Sequence, residues 1–207
     1  PLVARASTDP WARNVTLFDL LKSALRMRPD YIIVGEVRGE EAFTLFQAIA
    51  TGHAGMCTMH AENADYAVKR LISEPMNVPL FLIPLMNAIL TIKRIEVGGS
   101  VVRRVVEVRE MVMEGEKPVG HVVYRYNPTT DRLEKVGESK LLGMIAEENF
   151  TPLSEVEEEL KRRQVVLSYL LERSVTDFAR VSRVVRDYAT RPLAVYAAIE
   201  RGLYDVR

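Results

Sequence analysis

The stretch YIIVGEVRG, residues 31–39, is a short β-rich apolar run that ends on a glycine and a glutamate. Four consecutive apolar residues bounded by a turn signal predict a strand buried on both faces, as parallel strands are. Gly35 and Gly39 punctuate the turn that follows. Glu36 falls two residues past the strand, the position where α/β proteins place ligands. A carboxylate is costly inside an apolar strand but can face water, a metal ion or phosphate at its end. In a nucleotide site it would orient or deprotonate the attacking water, or hold Mg²⁺ through water. Arg38 lies two positions on and could pair with Glu36 or reach a phosphate through its planar fork. The plainer alternative is a surface ion pair at a strand end.

Working outward, Thr16 precedes LFDLLKSALRMR, in which Leu17, Leu20, Leu21, Ala24 and Leu25 repeat at helical spacing. Thr16 and Asp19 form an acidic variant of the capping box, and Pro29 ends the helix by disfavouring helical geometry at Arg28. Arg26 and Arg28 sit near that helix end. There they favour the helix dipole, or neutralise a triphosphate held by a neighbouring subunit, as an arginine finger does. Downstream, a helix over Glu40–Ala50 stops near Gly52, a short strand follows over Gly55–Met59, and an amphipathic helix covers Ala64–Ser73. This alternation favours an α/β core with helices over a largely parallel sheet.

The segment TGHAGMCTMHA, residues 51–61, brackets the second strand with His53 and His60. A neutral imidazole at a strand edge can donate to phosphate or couple nucleotide state to the backbone. Neither HExxH nor cysteine spacing accompanies them, which argues against zinc. His121, in a hairpin-like segment without chemical company, reads as structural. Cys57 is the single cysteine, so an internal disulfide is excluded; its apolar neighbours predict a buried structural thiol.

Beyond residue 73 the pattern changes. The apolar stretch Val78–Ile92 is interrupted by Pro79, Pro84, Asn87 and Thr91, too broken for a membrane span. Ile89–Glu96, Val101–Met113 and Gly120–Tyr126 read as strands of an antiparallel meander, with turns at Gly98–Ser100 and near residue 115. Thr151 and Pro152 open a helix towards Glu172, Val175–Tyr188 continues helical, and Pro192 starts a last helix. Lys plus Arg and Asp plus Glu number 28 each, so the whole chain has no bias towards nucleic acid or anionic lipid. From Lys161 to Arg207 ten basic residues face five acidic ones, a local excess read as a solvated helical face or a partner surface.

No GxxxxGK[ST] occurs in residues 1–207. Successive phosphate-cradling amides, a phosphate-reaching lysine and a Mg²⁺-holding hydroxyl are therefore missing from the sequence, and Lys22, Lys69 and Lys93 lack the glycine-rich setting to replace them. The opening PLVARASTDPW reads as sequence entered midway, so a fragment of a larger protein is expected.

Taken together, FDLLKSALRMRPDYIIVGEVRGEEAFTLFQAIATGHAGMCTMHA resembles the secretion ATPase superfamily, which includes type II and type IV secretion ATPases, pilus motors and archaellum ATPases. The resemblance is dense from Thr16 to Leu71. YIIVGEVRG resembles its Walker B segment, TGHAGMCTMHA its His box, and LRMRP its arginine-bearing segment; the helical tail resembles archaeal members most. The resemblance implies a partial RecA-like ATPase core over residues 1–127, an irregular connection over 128–150 and a helical region over 151–207. It implies a homo-hexamer using ATP and Mg²⁺ at the cytoplasmic face of a membrane secretion or pilus platform. Glu36 and His60 would serve catalysis, Glu36 holding Mg²⁺ through water and His60 contacting or sensing phosphate, and Arg26, Arg28, Arg38 and His53 would bind nucleotide. Without a P-loop, the chain alone is expected to be inactive. The competing readings are a non-enzymatic assembly module of the ring and, from the basic tail, a nucleic-acid translocation ATPase, though no nucleic acid is expected.

Overall fold

The computed structural model describes residues 1–5 and 14–206. They form two compact units, Pro1–Lys140 and Leu141–Arg207.

The first unit opens with helix α1 (Leu17–Arg26). Its capping box forms as expected: the Thr16 hydroxyl accepts from the Asp19 amide at 3.1 Å and the Asp19 carboxylate accepts from the Thr16 amide at 3.0 Å. The helix closes at Met27, and Arg28 takes a left-handed φ of 49° before Pro29. Strand β1 (Tyr31–Val34) follows, then α2 (Glu41–Ala50), which ends where Gly52 adopts φ 98°. Strand β2 covers Ala54–Cys57, slightly earlier than the sequence pattern suggested, and α3 covers Ala64–Ile72 behind an Asn63 cap. β1 and β2 pair in parallel, Tyr31 opposite Ala54 through Val34 opposite Cys57.

The expectation that β1 is buried on both faces fails. Ile32 and Val34 are 5% and 9% exposed, whereas Tyr31 and Ile33 are 62% and 72% exposed. Successive strand residues point to opposite faces, and only one face meets the core formed by Leu21, Leu45, Phe46, Leu71 and Ile83. Cys57 is also corrected: at the end of β2 it is exposed rather than buried, although protein around its sulfur still raises the thiol pKa by desolvation. Gly55 is a packing requirement, because a Cβ there would lie 2.7 Å from Ile49 of α2.

A 3₁₀ segment (Leu80–Leu85) leads into the antiparallel sheet of β3 (Ala88–Val97), β4 (Ser100–Glu114), β5 (Lys117–Asn127) and β6 (Arg132–Lys135), in that order. The β3–β4 hairpin turns on Gly98 and Gly99, both at positive φ, the geometry that tight two-residue hairpins demand. Arg104 holds Asp131 through both guanidinium arms, Nε to Oδ1 at 2.9 Å and Nη2 to Oδ2 at 2.8 Å. Residues 128–150 hold β6 and helix α4 (Lys140–Glu148).

The second unit is helical, with α5 (Leu153–Glu172), α6 (Phe178–Thr190) and α7 (Pro192–Glu200). Val166, Tyr169, Leu170, Val184, Tyr188, Val195 and Ile199 form its core. Pro192 starts α7 as its sequence position implies. At α5 the cap is Pro152 rather than Thr151, with no side-chain cap bond. Among the described residues no helix is long and apolar enough to cross a membrane.

Candidate functional site

The parallel pairing of β1 and β2 gives their ends distinct characters. Past the carboxyl ends, two loops lie side by side and are fastened together. The Val37 amide donates to the Thr58 carbonyl at 3.0 Å, and the Thr58 hydroxyl donates to the Gly35 carbonyl at 2.5 Å. Val37 is buried and anchors its loop. On the other flank, one oxygen of the buried Glu41 carboxylate accepts the amides of Arg38 at 2.6 Å and Gly39 at 2.9 Å. The loop carrying Glu36 is thus clamped from both sides. The sequence reading missed Glu41; a glutamate in a first helical turn looks like an ordinary dipole partner.

Glu36, a quarter exposed, uses its two oxygens differently. Oε2 accepts from Nη2 of Arg38, and Oε1 lies 3.5 Å from Nε2 of His60, long for a hydrogen bond but close enough for attraction when the ring is charged. The Arg38 hydrogen bond first, and then the nearby charges of Arg38, His60 and Arg70, hold the carboxyl below its ordinary pKa against partial desolvation. Glu36 is therefore ionised at neutral pH. The His60 side chain is 85% exposed and faces open surface.

Arg70, in the last turn of α3, donates to the His60 carbonyl. No sequence pattern announced this, because a basic residue closing a helix is what the helix dipole favours anyway. The structure thus brings together Glu36, Arg38, His60 and Arg70.

The remaining sequence candidates lie at the opposite edge, where the strands begin. The His53 ring bonds to the Ala48 carbonyl through Nδ1 at 3.1 Å, closing the end of α2. Arg26 and Arg28 lie where α1 hands over to β1, and Arg26 helps line an open cavity of about 380 Å³ with Asp19, Lys22 and Ser23. Four residues of strand separate the edges, about 13 Å at the usual rise. Neither this cavity nor one of about 480 Å³ between α4 and α5 includes Glu36 or His60. His121 bonds to Glu114 at 2.8 Å across the hairpin.

Among the described residues no group of three or more His, Cys, Asp or Glu side chains could cage a metal. A lone ionised carboxylate still fits Mg²⁺ of the substrate-borne kind, which keeps most of its waters and needs only one or two carboxylates beside phosphates.

Comparison with known proteins relates both parts of the chain to known families. Residues 10–97 match the family described as type II/IV secretion system protein, and residues 129–202 match the PilB3-like C-terminal family. The uncharacterized protein MJ1287 of Methanocaldococcus jannaschii is 48% identical over 147 residues, covering 70% of this chain and 54% of that protein. A second protein of that organism, MJ0900, is 35% identical over 185 residues, covering 85% of this chain and 33% of that protein. The type IV secretion system protein PtlH of Bordetella pertussis is 46% identical over 65 residues, 31% of this chain and 19% of that protein. The chain spans about half of the first relative and a third of the second. It therefore carries a domain of the type II/IV secretion-system ATPase superfamily joined to a PilB3-like C-terminal region.

Proposed function

We propose that this chain supplies the acidic, water-orienting half of an ATP-hydrolysing site in a secretion, pilus or archaellum motor. The observation carrying this reading is the convergence of Glu36 and His60 past the carboxyl ends of two adjacent parallel strands, inside the superfamily match. Bound Mg²⁺ would neutralise charge building on the triphosphate. Glu36 holds a hydration water or the attacking water through its ionised carboxylate. Because neighbouring cations depress its pKa, it serves better as an acceptor that orients water than as a strong proton acceptor. Arg38 and His60 provide donors to phosphate oxygens from the same edge. Arg26, Arg28 and His53 lie at the other edge, so they act on nucleotide held by an adjacent copy, within a ring taken to be a hexamer. The motor works at the cytoplasmic face of a membrane through partner proteins.

Residues 1–207 contain no P-loop, so the phosphate cradle comes from other polypeptide. In phosphate-release assays this chain alone should show only background turnover. A protein joining these residues to a P-loop should lose turnover on Glu36→Gln while still retaining nucleotide. Brisk hydrolysis by residues 1–207 alone, abolished by that substitution, would overturn the need for a separate cradle. Unchanged turnover in the substituted complete protein would remove Glu36 from the reaction.

A further inference from the structure

His60 Nε2 lies 3.5 Å from Glu36, and the His60 carbonyl accepts from an arginine of the nine-residue helix α3. His60 sits on a surface loop three residues past β2, with an exposed side chain, and nothing about an exposed imidazole fixes its distance to a carboxylate. Its backbone, however, is held. Met59 before it packs against the core, and its own carbonyl accepts from Arg70. Arg70 is placed in turn by a helix with little freedom. Ala64, Ala67 and Leu71 of α3 are buried, Asn63 caps its start by accepting from the Tyr66 amide at 3.0 Å, and Asp65 is gripped by Arg109 of β4 at 2.7 Å. Arg109 is itself held by Glu107 at 2.9 Å. A side chain carried on a packed helix places its target more precisely than a loop can place itself.

We propose that Arg70 is the positioning residue of the site: it fixes the His60 loop so that the imidazole stands opposite Glu36. This rests on the proposed role of Glu36 and His60, and adds a residue that touches neither the reacting water nor Glu36 directly. Its guanidinium charge also reaches Glu36 through space and reinforces the ionised carboxylate.

The test uses the 207-residue chain and needs no nucleotide. In NMR spectra the wild type should show a nuclear Overhauser cross-peak between the His60 ring and the Glu36 side chain, assigned with His53→Asn and His121→Asn variants. Arg70→Met keeps the aliphatic stem and removes the donor; it should abolish the cross-peak and raise the titration midpoint of the Glu36 carboxyl. Arg70→Lys, which restores a donor, should recover the cross-peak, and amide shifts of α3 check that the helix persists. A cross-peak undiminished in Arg70→Met, or absent from the wild type, overturns the proposal. In a protein that also carries a P-loop, Arg70→Met should lower kcat by about ten- to a hundredfold with KM little changed, the signature of misplacement. If the cross-peak behaves as expected while Glu36→Gln and His60→Ala leave turnover normal, the positioning stands and the ATPase reading falls.

Discussion

The two sheets of the first unit treat charge in opposite ways. In the parallel pair, charged residues are confined to the ends: β1 and β2 are Tyr-Ile-Ile-Val and Ala-Gly-Met-Cys, and Glu36 and His60 follow them. In the antiparallel sheet, charges lie along the strands, and two of its arginines are held by carboxylates. Arg104 holds Asp131 with two arms, and Arg109 bridges Glu107 and Asp65. On the proposed function, position relative to the strand sorts charge into structural and chemical kinds. An arginine whose fork is saturated by carboxylates has little left for a ligand, whereas Glu36 at a strand end is met by exposed groups that a ligand can displace.

The largest effect should come from the chemical kind. Glu36→Gln in a P-loop-bearing protein should reduce turnover by about 10²- to 10⁴-fold and leave the thermal midpoint unchanged; a large loss of stability would move Glu36 into the structural class. Next comes Gly137, where an added Cβ would lie 2.5 Å from the Val122 carbonyl oxygen of β5. Gly137→Ala should destabilise the unit by about 1–3 kcal/mol, read from chemical denaturation, without touching the Glu36–His60 contact. Glu41→Ala tests the link between the classes. It removes a buried acceptor from the Arg38 and Gly39 amides, and should cost about 1–2 kcal/mol while broadening the Glu36 resonances.

The smallest effect is set by pH. Arg104, and then the Tyr126 hydroxyl, depress Asp131 to about 2 from an ordinary 3.8. A carboxyl with a lowered folded-state pKa stabilises the fold fully above about 3.8, and that contribution drains away as pH falls through about 2. Acid titration of the β5–β6 hairpin should therefore show a local loss between those values, shifted upward in Arg104→Gln. The effect should be modest because the pair is partly solvated.

How far the sequence anticipates this structure depends on whether a residue acts through a local pattern or a distant contact. The Thr16–Asp19 cap, the stop at Gly52, the Gly98–Gly99 turn and the start at Pro192 are legible because each is a backbone requirement met by its own residue type. The short exposed strand Arg132–Lys135 has no apolar alternation to reveal it. YIIV looks buried on both faces because hydrophobicity cannot tell which side of a strand is covered. Among the candidate residues, the placement of Glu36 and His60 past adjacent strand ends follows from their positions after apolar runs. Glu41 and Arg70 do not, since their partners are backbone groups whose positions only folding defines.

The open face of the parallel pair also governs how the chain behaves in a tube. Tyr31, Ile33 and Met56 present apolar surface beside two four-residue strands, each with an unpaired edge among the described residues. Unprotected strand edges with greasy neighbours nucleate self-association. Concentrated stocks will therefore cluster and light-scattering radii will grow with protein concentration, so any ring stoichiometry should be taken from dilution series extrapolated to low concentration.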